Sequence, residues 1–158
     1  MRRRHAYVRG QSLVEFALVA GLFIGLLMGV VEFAHLLFVY TATASAAAEA
    51  ARYGATTGTT PDGIPRYQDC EGIRRAALRI GAMAGLRPED VQVFFDRGPG
   101  TTPYAACPNP PTTVRGGDRV VVRVTIVYRP LVPLFPKTTL PFTAEVSRTL
   151  LGQVRVSP

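Results

Sequence analysis

The chain has no tryptophan, and its 158 residues include only two cysteines and two histidines. That leaves almost no ligands for a zinc site of the usual Cys/His kind. Both histidines, His5 and His35, fall in the first quarter. The C-terminal hundred residues therefore hold no Ser–His–Asp or Cys–His set, and no nucleophilic enzyme is expected there. A Gly-x-x-x-x-Gly-Lys-Ser/Thr pattern is also missing, which excludes a P-loop motor. Charged residues make up 18% and hydrophobic residues 47%. A charged share below the usual quarter argues against disorder of the whole chain. Thirteen prolines and fifteen glycines exclude an all-helical bundle.

The net charge of +7 is concentrated at one end. Arg2, Arg3, Arg4 and Arg9 supply four of the eighteen cations. A nucleic-acid binder would spread its charge over a face rather than gather it in one short tail. The tail stands directly before the most apolar part of the chain, an order that reads as a membrane topology signal.

Phe16 to Val31 carries no charge, and apolar residues resume after Glu32 as far as Tyr40. As a helix, Phe16 to Tyr40 would be about 37 Å long, enough to cross a hydrocarbon core of about 30 Å. The preceding arginines put residues 1–10 in the cytoplasm and the C-terminal part outside. Eight alanines between Ala42 and Ala55 extend the helix, so one element is expected from about Ser12 to about Thr57. That element would be about 70 Å long, and something other than lipid must cover its second half. Ala17, Gly21, Gly25 and Gly29 recur at i, i+4 and form a face that another helix could approach closely. Ala42, Ala46, Ala50, Gly54 and Gly58 continue the spacing. Glu15 and Glu32 are costly at membrane depth, by roughly 2.5–3.5 kcal/mol each on insertion scales. His35, three residues after Glu32, offers it a local partner. Ala42-Thr43-Ala44 has the form of a signal-peptidase site, but the apolar segment is too long for a signal peptide and Glu32 lies inside it.

Gly10-Gln11-Ser12-Leu13-Val14-Glu15-Phe16 resembles the processing site of type IV pilin-like precursors. In them a basic leader ends in Gly and the fifth mature residue is Glu. The wider string, with Gly29-Val30-Val31-Glu32-Phe33-Ala34 and Ala47-Ala48-Glu49-Ala50-Ala51-Arg52-Tyr53-Gly54, is similar to the TadE family, pseudopilins of the tight-adherence (Tad/Flp) pilus. The resemblance implies that a prepilin peptidase cuts after Gly10, leaving Gln11 as the new N-terminus, Glu15 fifth and Phe16 sixth. It further implies that the Gln11 amine meets the Glu15 carboxylate of a neighbouring subunit. Two departures stand out. Gly21 occupies a place where the family often has Pro, and His35 one where it often has a basic residue.

Gly54 to Gln68 is a Gly/Thr/Pro linker. Asp69 can cap a helix to about Ala84, with Ile73, Ala76, Ala77, Ile80, Met83 and Ala84 at helical spacing and Gly85 as its stop. Val91–Phe95 reads as a short strand. Residues 97–118 read as an irregular loop. Arg119 to Arg129 alternates, with Val120, Val122, Val124, Ile126 and Tyr128 on one face, and Leu140 to Val146 alternates again. This second strand could run on toward Val154. Pro130 to Phe135 is apolar without being a regular strand, and reads either as a loop over the core or as a contact with membrane or partner. Cys70 and Cys107, an isolated pair outside the cytoplasm, read as a disulfide closing 37 residues. Arg115, Arg119, Arg123 and Arg129, with Tyr104, read either as a stripe for nucleic acid or as the exposed face of a sheet blunted by charge, the second being the simpler reading.

The expected fold is α+β: a long N-terminal transmembrane helix, then a small domain with one helix on a three-stranded antiparallel sheet. The expected parts are a leader at 1–10, helix and Ala-rich neck at 11–57, and an extracytoplasmic domain at 58–158. The function expected is non-enzymatic, that of a minor pseudopilin in the cell membrane. Its partners would be the lipid bilayer, other pilus subunits and a prepilin peptidase, with no metal, cofactor, nucleic acid or small-molecule substrate. The alternative is an uncleaved single-pass anchor that presents a ligand-binding domain.

Overall fold

The computed structural model describes residues 4–131 and 139–151. Helix α1 runs unbroken from Arg4 to Ala55. No proline precedes Pro61, and alanine dominates its last turns. At its end the Thr56 hydroxyl donates to the Arg52 carbonyl at 2.8 Å. Gly58, with φ +111°, then turns the chain away. Helix α2, Cys70–Gly81, starts where Asp69 accepts a hydrogen bond from the Gly72 amide at 2.8 Å. A 3₁₀ turn, Ala82–Ala84, and left-handed Gly85 end it. Leu86 closes the motif, donating from its amide to the Gly81 carbonyl at 3.1 Å and burying its side chain.

The sheet has four antiparallel strands in the order β2-β1-β3-β4: β1 Val91–Asp96, β2 Ala105–Ala106, β3 Arg119–Tyr128 and β4 Leu140–Thr149. The expected three-stranded sheet is thus one strand short. Strand β2 is two residues long and sits in the Pro/Gly/Thr-rich loop, where no alternation can announce it. The Tyr104 and Cys107 amides flank it, donating to the Phe95 and Val93 carbonyls at 2.9 and 3.0 Å. Strand β4 runs past Val146 and ends at Thr149, with Leu150 and Leu151 outside it, so it does not continue to Val154 as expected; the segment from residue 132 to Phe135 lies outside the described residues.

Val120, Val122, Val124, Ile126 and Tyr128 of β3 are all buried, with Val91, Val93 and Phe95 of β1 beside them. Both helices cover this face of the sheet. From α1 come Val39, Ala46, Ala47, Ala50 and Ala51, and from α2 Ile73 and Ala77. The small alanine side chains let α1 lie close to the sheet. At Gly54 a methyl group would already stand 3.1 Å from Ile73 Cδ1. The Ala-rich neck is therefore a principal wall of the domain's core.

Candidate functional site: the N-terminal helix and its junction with the domain

Helix α1 divides into two environments. From Leu13 to Val31 the large side chains are exposed, Leu22 at 77% and Phe16 at 71%. From Val39 to Ala51 one face is buried in the domain. The first segment is 19 residues, about 28 Å of helix, close to a hydrocarbon thickness of about 30 Å. Within α1, residues Gly10–Ala55 are long and apolar enough to cross a membrane.

The expected processing residues all lie on the exposed start of α1. Gly10 is exposed, with open space around it. The Gln11 side-chain amide donates to Glu15 Oε1 at 3.2 Å, so the carboxylate has a neighbour one turn back. Phe16 is exposed. Gly21, Gly25 and Gly29 also face open space. The second small-residue series differs. Ala42, Ala46 and Ala50 are buried and Gly54 is against Ile73 and Val120, so this stretch packs on its own domain. Gly58 lies beyond the helix.

Glu32 marks the junction. It is buried, accepts a hydrogen bond from the Tyr128 hydroxyl, and accepts from the Leu131 amide at 3.1 Å. Tyr128 is the last residue of β3, so the far end of the sheet comes down to meet the helix where its exposed apolar run stops. Burial, then the bond to Glu32, pushes the Tyr128 hydroxyl up to about 12. His35 lies on the same helix face, as its spacing implies, with its ring 5.3 Å from that of Tyr128. Its Nδ1 is buried without a hydrogen-bond partner. Spacing alone offered His35 to Glu32 and gave no sign of Tyr128. The available signals were a carboxylate in an apolar run and a tyrosine closing an alternating strand.

Cys70 and Cys107 form a disulfide, with Cα atoms 5.8 Å apart. It ties the first residue of α2 to the end of β2. Two arginines of the basic sheet face are paired with carboxylates on neighbouring strands. Arg119 pairs with Asp96 at 2.7 Å, and Arg123 with Glu145 at 2.7 Å while lying 5.4 Å from the Phe94 ring centroid. The Arg119 guanidinium holds the Asp96 carboxyl below its ordinary range against the opposing effect of burial. Tyr104 donates to buried Asp118 at 3.0 Å, and burial together with that bond pushes its hydroxyl up to about 12. Among the described residues no three or more His, Cys, Asp or Glu gather as a metal site.

No curated protein and no solved structure matches the chain. A family model does, and its match covers the apolar run and most of the neck but stops short of the outer domain. Residues 10–52 match the family described as TadE-like protein, so the chain is TadE-like over its N-terminal helix.

Proposed function

We propose that the chain is a minor pseudopilin of a Tad-type pilus, a non-enzymatic subunit anchored by α1. A prepilin peptidase would cut it after Gly10. The observation that carries this reading is the division of α1. Its own domain buries the second half and leaves Leu13 to Val31 bare, 19 residues that are apolar apart from Glu15 and need lipid or neighbouring helices. The TadE-like match over the same segment supports a Tad pilus-associated component. The arginines before the helix favour a cytoplasmic N-terminus with the domain outside.

Cleavage would convert the Gln11 amide nitrogen into a cationic amine. In a low-dielectric setting it would attract the Glu15 carboxylate of an adjacent subunit far more strongly than in water, and so set the register of packing. The open Gly21–Gly25–Gly29 face would let that neighbour approach. The N-terminus of protein extracted from membranes tests the reading. With an active prepilin peptidase the chain begins at Gln11, and Gly10→Arg blocks the cut. Recovery of intact wild-type chain from such cells would point instead to an uncleaved anchor.

A further inference from the structure

We propose that the lower end of the domain, where β3 ends and β4 begins, rests in the headgroup layer of the bilayer. The domain would then dock on lipid rather than stand off on a stalk. The inference rests on the reading of α1 as the membrane anchor and adds a second membrane contact to it.

The apolar run that is exposed on every side ends at Val31; from Glu32 on, one face of α1 is buried while Phe33, Leu37, Phe38 and Tyr40 stay exposed. Glu32 is already bonded to the Tyr128 hydroxyl and to the Leu131 amide. No helical turn separates the apolar run from the domain, so the helix has no stalk. Leu13 to Val31 spans about 28 Å, slightly less than a hydrocarbon core of about 30 Å. The helix therefore has no apolar length in reserve with which to lift the domain clear. The headgroup layers bring a bilayer to about 40–45 Å, which leaves a layer several ångströms deep on the domain's side. Whatever lies level with Glu32 lies in that layer.

What lies there suits it. Leu131 is 62% exposed, Val127 47% and Leu140 43%, and in β4 Leu140 pairs directly with Tyr128. Phe33 and Leu37, which follow Glu32 on α1, are exposed as well. In water these side chains would leave one end of the domain unusually apolar. Arg129, between Tyr128 and Pro130, is exposed and can reach lipid phosphates.

The absence of tryptophan makes the test clean. Single tryptophans are placed in the full chain at Val127, Leu131, Phe23 and Thr113. All four side chains are exposed, so the substitutions spare the core. Thr113 lines a groove with Gly54 and Ala55, about 23 residues and 35 Å of helix above Glu32. Each protein is reconstituted in vesicles of phosphatidylcholine and phosphatidylglycerol, with bromines carried high on the acyl chains or, separately, deep within them. Val127→Trp and Leu131→Trp should show blue-shifted emission and lose most of it to the shallow quencher. Phe23→Trp should be quenched by the deep one, and Thr113→Trp by neither. If Phe23→Trp escapes quenching, α1 is not in the membrane and the anchor reading itself fails. If Phe23→Trp is quenched while Val127→Trp and Leu131→Trp are not, docking is overturned. Unquenched blue emission that varies with protein concentration would assign this end to a second copy, and also overturns it.

Discussion

Replacing Gly72 with alanine should destabilise the domain, against the helix scale. In a helix interior alanine gains about 0.8–1.0 kcal/mol over glycine. Gly72 is the third residue of α2, and its amide is the donor that Asp69 accepts. A methyl group there would overlap Asp69 Oδ2 and stand 2.6 Å from the Tyr53 hydroxyl. That hydroxyl donates to the same Asp69 oxygen at 2.7 Å, linking the last turns of α1 to the start of α2. The methyl must therefore displace the cap and strand Tyr53 at once. A lost N-cap costs about 0.5–2 kcal/mol. A lost hydrogen bond to a charged group costs about 1.5–3 kcal/mol. Set against the propensity gain, the net loss is about 1–4 kcal/mol. Thermal unfolding of the full chain in detergent, followed by near-UV circular dichroism, should show a midpoint at least about 4 °C lower. In a Tyr53→Phe background the hydroxyl is gone and the methyl has more room, so Gly72→Ala should cost less there. An unchanged or raised midpoint, or strict additivity with Tyr53→Phe, would refute the reasoning.

Two further outcomes follow from the domain's other ties. Changing both Cys70 and Cys107 to serine reopens 37 residues of chain, and the loop-entropy relation sets the loss near 4 kcal/mol. A denaturant midpoint equal to wild type would contradict that relation here. Asp96 gives the pH dependence: its folded pKa is depressed by Arg119, so its contribution is complete above the unfolded value of about 4 and is lost as pH falls through the folded one. Asp96→Asn should therefore flatten the acid limb of the stability profile. Identical limbs in the two proteins would show that the pair plays no part in it.

The elements that the sequence displays most openly are those whose periodicity reports burial directly. Val120 to Tyr128 alternates because α1 and α2 bury one face of β3 completely, while the other face, apart from Val121, is at least partly exposed. Ile73, Ala76 and Ala77 recur at helical spacing because α2 buries a single stripe. What stayed hidden depends on register or on contacts across long stretches of chain. The arginines of β3 look like an unneutralised stripe until pairing sets Arg119 opposite Asp96 and Arg123 opposite Glu145. Strand β2 is too short to alternate. The bond between Tyr128 and Glu32 joins residues 96 apart, and no local pattern carries it. The alanine spacing from Ala42 onward suggests a face for a foreign helix, because close packing demands small residues whoever the neighbour is.

That ambiguity resolves once the size of the apolar side chains is read with their spacing. Lipid conforms to whatever a helix presents, so Leu13 to Val31 can be large and can surround the helix on all sides. A folded sheet does not conform. A helix lying against β3 and Ile73 must present small, regularly placed side chains, and from Ala42 on α1 changes from leucine, phenylalanine and valine to alanine along the stretch the core covers most closely. Glu32, ten residues before that change, is the first point the domain covers. A carboxylate there would be a liability in hydrocarbon, but the Tyr128 hydroxyl and the Leu131 amide reach it. The same bonds fix the height of the domain on the helix. A shift of α1 by one turn would bury Glu32 deeper in lipid or pull apolar residues into water. The helix and the domain therefore share one reference level, set by the Glu32 junction and the alanine contact above it.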